Sequence, residues 1–176
     1  MRTKTRDITL CAMLVALSLA LSLAERMSPL EAVIPLPGVK LGLANIVTMF
    51  ALYELGGRYA LAVLVCRCAL ASLFGGGFTA LAFSLAGGLL ALAAMSLAKR
   101  APFLSVYGVS LCGAACHNAG QILAAMALLR SVTVAAYLPF LLLVSVGTGL
   151  LTGFAASCTF RALAAVPRRE RGDREC

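Results

Sequence analysis

The chain has little charge and few aromatic side chains for its 176 residues. Only 12% of the residues are charged, seven are acidic, one is histidine and none is tryptophan. Without tryptophan, any aromatic belt at a membrane surface must use tyrosine and phenylalanine. The hydrophobic share is 61%, well above the roughly 45–50% of a soluble domain. A water-soluble core of this size cannot bury so much apolar surface, so the composition predicts one compact membrane domain.

The motifs that several enzyme classes require are also missing. The chain has no Gly-x-x-x-x-Gly-Lys-Ser/Thr loop, so we expect no ATP hydrolysis by this chain alone. It has no Asp-rich pair to hold Mg²⁺ and a diphosphate. It has no Ser/His/Asp or Cys/His set with a credible third member. These absences predict a protein that is not an enzyme and uses no cofactor.

Charge and cysteine content narrow the class of partner. The net charge of +8 comes from basic residues at the termini and segment ends, which is typical of a chain facing anionic lipid rather than nucleic acid. The seven cysteines are odd in number and six lie in apolar runs, which argues against a secreted disulfide framework. Neither Cys66-x-Cys68 nor Cys112-x-x-x-Cys116-His117 has a zinc spacing, so we predict small buried apolar side chains and no metal.

Six apolar runs predict an all-α bundle of six transmembrane helices. The runs cover 8–24, 41–55, 58–74, 78–98, 103–129 and 137–163. Residues 1–166 are therefore interpreted as a single membrane domain, and the charged tail 167–176 is predicted to be disordered. Eleven Lys and Arg residues fall on the side of the termini and three on the other, which predicts that both termini are cytoplasmic.

Polar side chains inside the apolar runs are the candidate binding residues. Arg67 is the only charge well inside a predicted helix, and inserting one costs at least about 2.5–3.5 kcal/mol. It therefore requires backbone carbonyls, a loop glutamate or an anionic ligand as its partner. On the fifth helix, His117 and Gln121 are four residues apart and Asn118 lies three before Gln121, so they share a face.

Depth along the helices brings these groups together. At about 1.5 Å per residue, Arg67 and His117 both fall in the outer half of the bundle. The Pro-Gly-rich segment that precedes the second helix, with Lys40 and Asn45, lies above them. We predict an outward-facing pocket for a small substrate in which Arg67 and Lys40 meet a negative or strongly polar group. Two alternatives stay open. The Pro-Gly-rich segment could be an ordinary loop between two membrane helices, and the polar side chains could form only hydrogen bonds between helices.

The first helix carries a repeated small side chain. Ala12, Ala16, Ala20 and Ala24 are spaced every four residues and so share one helix face, which allows another helix to approach closely. Alanine is common in such runs, and a basic start followed by an apolar run also fits a signal peptide. We favour a retained first helix.

Four blocks of the sequence together resemble the bacterial Gx transporter family, also labelled heptaprenyl diphosphate synthase component I. The blocks are PLPGVKLGLAN (35–45), R…LFGG (67–76), FSLAGG (83–88) and GVS…HNxGQ (108–121), within a resemblance covering nearly all of 8–165. That family is similar to the substrate-binding S components of energy-coupling-factor importers. Those have six helices, bind substrate from outside and use an Ala-x-x-x-Ala face of helix one to dock the coupling subunit.

The resemblance implies an importer subunit that binds a small solute and assembles with a membrane coupling subunit and two ATPases. Ala12, Ala16, Ala20 and Ala24 match the docking face. The family label implies a second role, a non-catalytic membrane subunit beside a prenyl diphosphate synthase in isoprenoid or quinone biosynthesis. A purely structural membrane partner is the third alternative.

Overall fold

Apolar runs become helices because a backbone surrounded by lipid must satisfy its own hydrogen bonds. The computed structural model of the chain describes residues 2–26 and 42–165. Within these residues there are six α-helices and no strand. They are α1 (Arg2–Arg26), α2 (Asn45–Glu54), α3 (Gly57–Ala71), α4 (Gly77–Ala98), α5 (Val106–Leu129) and α6 (Leu138–Ala165). The prediction of an all-α membrane bundle is confirmed.

Five stretches of the described residues are long and apolar enough to cross a bilayer. They are Thr5–Glu25, Gly57–Phe74, Gly77–Ala98, Val106–Leu129 and Val132–Ala162. Helix α2 is the exception, because its 10 residues span only about 15 Å and a crossing needs around 20 residues. The second predicted helix therefore exists but is shorter than predicted. The tail 167–176 lies outside the described residues, and its disorder stays a prediction.

Two helix boundaries matter for the site. The first loop was predicted to begin at Glu25, but α1 continues to Arg26, so Glu25 is a helical residue. The predicted break at the glycine triplet is confirmed, because α3 passes through a π-helical turn, Ser72–Gly76, before α4 begins. Gly77 makes this break possible since its φ of 65° favours glycine.

Helices α4, α5 and α6 make the most extensive contacts, and α1 lies against α3 and α2. The crossing of α4 and α5 depends on Gly120, where an added Cβ would lie 2.6 Å from the carbonyl oxygen of Ala86. The outer surface carries large apolar side chains such as Leu73, Leu143 and Phe154, as lipid contact requires. Cys66 and Cys158 are also exposed, so the prediction of buried cysteines is wrong for these two.

The short helix α2 is fixed at its C-terminal end by α4. Lys99 donates a 3.0 Å hydrogen bond to the carbonyl of Leu52. Its ammonium group also lies 4.4 Å from the centre of the Tyr53 ring. A cation at a helix C-terminus offsets the unpaired carbonyls there, so this contact holds α2 in place.

Candidate functional site

Arg67 is buried at the centre of the candidate site. The inward positions of α3 recur every three or four residues, and Arg67 and Cys68 belong to that face while Cys66 points outward. Only 5% of the Arg67 surface is exposed. Its Nε and Nη2 atoms have no hydrogen-bond partner among the residues that the structure describes. A guanidinium stays charged at any physiological pH, so α3 places a fixed positive charge inside the bundle.

Glu25 supplies negative charge close to Arg67. It lies in the last turn of α1, is 4% exposed, and interacts favourably with the Arg67 charge. Its Oε1 atom accepts a 2.6 Å hydrogen bond from the backbone N–H of Gly42. One of the three predicted partners for Arg67 was a loop glutamate. The glutamate is present, but it belongs to a helix.

His117 on α5 is held from two sides. Its Nε2 atom lies 3.1 Å from the amide nitrogen of Gln121, within hydrogen-bond distance. The ring also fits between two glycines. An added Cβ would lie 2.9 Å from ring atoms of His117 at Gly42 and also at Gly87. A side chain at either glycine would displace the imidazole.

These groups surround a small cavity between four helices. Its volume is about 10 Å³, which is room for one water molecule. It is lined by Ser22, Glu25, Gly42, Arg67, Cys68, Ala71, Ser84 and His117. The cavity brings together Arg67 and His117, two of the predicted site residues, from different helices.

The other predicted residues lie in different places. Asn45, the first residue of α2, is 7% exposed and lines a second cavity. Gln121 is not among the residues that line either cavity, and its amide contacts His117, which lines the first. Asn118 donates a 2.8 Å hydrogen bond to the carbonyl of Leu141, which joins α5 to α6, and lines neither of these two cavities. Lys40 lies outside the described residues.

Sequence reasoning expected a glutamate as one possible partner of Arg67 without choosing Glu25, and it missed Ser22 and Ser84. A spacing on α1 could have revealed Glu25 and Ser22, because Ser18, Ser22 and Glu25 are four and three residues apart and form one polar stripe. All three are buried. The alanines at 12, 16, 20 and 24 are all exposed. Helix α1 therefore turns its polar stripe inward and its alanine face outward.

The sequence itself decides the family. Residues 14–159 match the model of the family described as heptaprenyl diphosphate synthase component I. The chain belongs to this family. No curated protein and no solved structure matches it.

Membership in the component I family confirms the resemblance predicted from the four sequence blocks. The matched range takes in every residue that lines the two cavities, from Ser22 to Thr152. The buried polar cluster therefore lies within the part of the chain that defines the family, in a multi-pass membrane protein.

Proposed function

We propose that this component I family member is the substrate-binding subunit of an energy-coupling-factor-type importer, with Arg67 as its main recognition residue. The observation that carries the proposal is the burial of Arg67 with two nitrogen atoms unpaired among the described residues. Burying an unsatisfied donor costs about 1–3 kcal/mol, and more when it is charged. An acceptor group on a bound solute would remove that cost.

A purely structural role explains Arg67 less well. Glu25 offsets the charge of Arg67, but apolar side chains of similar volume generally stabilise a buried site as well as an ion pair does. Ionisable side chains inside a membrane bundle more often mark a substrate or ion pathway. The convergence of Arg67, Glu25 and His117 on one cavity supports a pathway or binding role.

The cavity of about 10 Å³ is a closed form of the site, since a solute larger than water needs more room. The Gly42 backbone forms part of the wall and is tied to α1 by the hydrogen bond to Glu25. Opening would begin with the loss of this bond. Lys40, two residues earlier in the chain, stays a proposed second cation for the solute. Asn45, His117 and Gln121 stay proposed to orient it, whereas Asn118 is proposed to join α5 to α6.

The outward face of α1 is the proposed docking surface for the coupling subunit, which would bring two ATPases. Ala12, Ala16, Ala20 and Ala24 are exposed there and carry the smallest side chains that a helix–helix contact can use short of glycine. We further propose that the protein lies in a bacterial cell membrane with both termini in the cytoplasm, on the strength of its Lys and Arg distribution. Because five described stretches are long enough to cross a bilayer, this orientation requires a sixth crossing by the chain between α1 and α3.

A second candidate function is favoured by the family description. It indicates a membrane subunit that accompanies a heptaprenyl diphosphate synthase. Among the described residues no three His, Cys, Asp or Glu side chains are grouped to hold a metal ion. In this role the chain would act as a non-catalytic anchor, and another subunit would supply the residues that bind Mg²⁺ and diphosphate.

Co-purification separates the two candidates. The tagged chain is isolated from the membranes of its source organism and its partners are identified by mass spectrometry. A membrane coupling subunit with two ATPases supports the importer, and loss of those partners from an Ala16→Leu/Ala20→Leu variant supports the docking face. A soluble prenyl diphosphate synthase, recovered without ATPases, contradicts the importer and supports the second candidate.

A further inference from the structure

A second buried cavity lies beside the Arg67 cavity and shares one residue with it. Its volume is also about 10 Å³, and the polar part of its wall is formed by Asn45, Ser110, Thr148 and Thr152. Gly42 lines both cavities. Because glycine has no side chain, only backbone stands between the two spaces at this point.

Gly42 is a narrow partition between the two cavities. An added Cβ on Gly42 would lie 2.9 Å from the His117 ring, in the first cavity wall, and 3.1 Å from the amide nitrogen of Asn45, in the second. Its φ of 82° is also one that favours glycine. Gly42 therefore lies against a wall residue of each cavity.

The second cavity presents hydrogen-bond acceptors. The Thr152 hydroxyl donates to the Gly149 carbonyl at 3.1 Å, which leaves the Ser110 hydroxyl to donate to Thr152. Each hydroxyl has a single proton, so both oxygens keep lone pairs but no free donor. The Oδ1 atom of Asn45 is buried without a partner in the described part of the chain. These three oxygen atoms can all accept from an N–H or O–H group of a ligand.

The first cavity presents the opposite chemistry. The Nε and Nη2 atoms of Arg67 are donors only, and they are unpaired among residues 2–26 and 42–165. The Glu25 carboxylate lines the same cavity and offsets the Arg67 charge, and its Oε1 atom accepts from the Gly42 N–H. Nε and Nη2 of Arg67 could therefore donate to a carboxylate or carbonyl oxygen of a ligand.

We propose that the two cavities are the two ends of one ligand site, joined when Gly42 moves. This inference rests on the proposed importer function. The ligand is a short polar solute with a carboxylate or carbonyl at the Arg67 end and an N–H or O–H donor at the end formed by Asn45, Ser110 and Thr152. A diphosphate fits less well, because among Asn45, Ser110 and Thr152 only the Nδ2 group of Asn45 could donate to its oxygens.

The test uses the full-length protein purified in detergent and a protein-free small-molecule extract of the expression host as the probe. Compounds that stay bound after washing are released and identified by mass spectrometry. The variants are Arg67→Gln for the first cavity and Ser110→Ala/Thr152→Val for the second. We expect at least one compound to be enriched on the wild type over Arg67→Gln, and the Ser110/Thr152 variant to retain about tenfold less of it.

Two matched variants control for packing and folding. Thr152→Ser keeps the hydroxyl and should retain the compound, while Thr159→Val removes an exposed hydroxyl from the same helix and should also leave retention unchanged. The chemical structure of the retained compound is a second readout that needs no variant, since it must carry both an acceptor and an N–H or O–H donor.

The outcomes are separable. Equal retention by the wild type and the Ser110/Thr152 variant, with loss in Arg67→Gln, overturns the two-ended site but leaves the importer standing. A retained diphosphate, or a compound without a donor group, overturns it as well. If the wild type retains no compound in greater amount than the Arg67→Gln variant does, the proposed function itself is contradicted, and this inference with it.

Discussion

The backbone N–H of Gly42 donates a 2.6 Å hydrogen bond to the Glu25 carboxylate. This bond connects the last turn of α1 to the residue that separates the two buried cavities. It thereby couples the helix with the outward alanine face to the wall of the proposed ligand site. Any change that moves the end of α1 would act on Gly42, which is a physical route from a docked partner to the site.

Gly42→Ala should destabilise the protein through two separate costs. The left-handed φ of 82° costs a non-glycine residue about 1–2 kcal/mol, and the new Cβ meets the His117 ring at 2.9 Å. Thermal unfolding in detergent measures the sum. Gly56→Ala measures a positive-φ cost without a steric clash, because Gly56 has a φ of 90° but open space around its Cβ position.

Gly57→Ala is the matched control at which neither cost applies. An added Cβ meets nothing within 4 Å, and the residue begins α3. We expect it to be neutral or to raise stability by about 0.5–1 kcal/mol, as alanine does relative to glycine in a helix. If Gly42→Ala unfolded no earlier than Gly56→Ala, the contact between Gly42 and His117 would not constrain the site.

Glu25→Gln should destabilise the bundle by about 3–5 kcal/mol, because it leaves the buried Arg67 charge without its counter-charge. The amide oxygen of Gln can still accept from Gly42, so the loss reports on charge. Adding Arg67→Gln to this variant should restore part of the stability, and a double-mutant cycle of unfolding free energies measures the coupling. Glu54→Gln, at an exposed position of α2, should have no effect. Additive single losses would mean that Glu25 and Arg67 are energetically independent.

The sequence was sufficient to predict the helices and the meeting of Arg67 with His117. Both follow from local rules, since apolar runs define helices and the rise per residue defines depth. It was not sufficient to predict that Glu25 belongs to α1, because a charged residue next to a proline-containing segment is typical of the start of a loop. Glu25 instead continues α1 and accepts a hydrogen bond from the Gly42 N–H, and the local sequence pattern does not predict this tertiary contact.

The partition at Gly42 was also beyond local reasoning. A glycine in a Pro-Gly-rich segment suggests backbone freedom, but its role here comes from the His117 and Asn45 side chains on either side. His117 is distant in sequence from Gly42, so only the folded bundle shows that a side chain at position 42 has no room. The same holds for Asn118, whose helix face is predictable but whose hydrogen bond to Leu141 depends on how α6 crosses α5.

Asn118→Leu should lower stability and leave ligand binding nearly unchanged. The side chain bonds α5 to α6 through the Leu141 carbonyl, and such bonds in membrane bundles contribute about 0.6 kcal/mol on average and up to about 1.7. Two quantities are measured on the same preparation. They are the unfolding temperature and the retention of the compound that the wild type binds in greater amount than Arg67→Gln does. Loss of retention without loss of stability would instead place Asn118 in the ligand site.

Ala16→Leu/Ala20→Leu should weaken assembly with the coupling subunit while the isolated protein stays as stable as the wild type. Both positions are exposed on α1, so larger side chains there disturb no internal contact but hold a partner helix farther away. Complex yield is measured by pull-down of the tagged chain, and stability by thermal unfolding.

Ala62→Leu/Ala69→Leu makes the same change at exposed positions of α3 and should leave the yield unchanged. An equal loss from both double variants would mean that the added bulk, rather than the α1 face, impairs assembly. An unchanged yield from the α1 variant would remove the docking face from the proposed function.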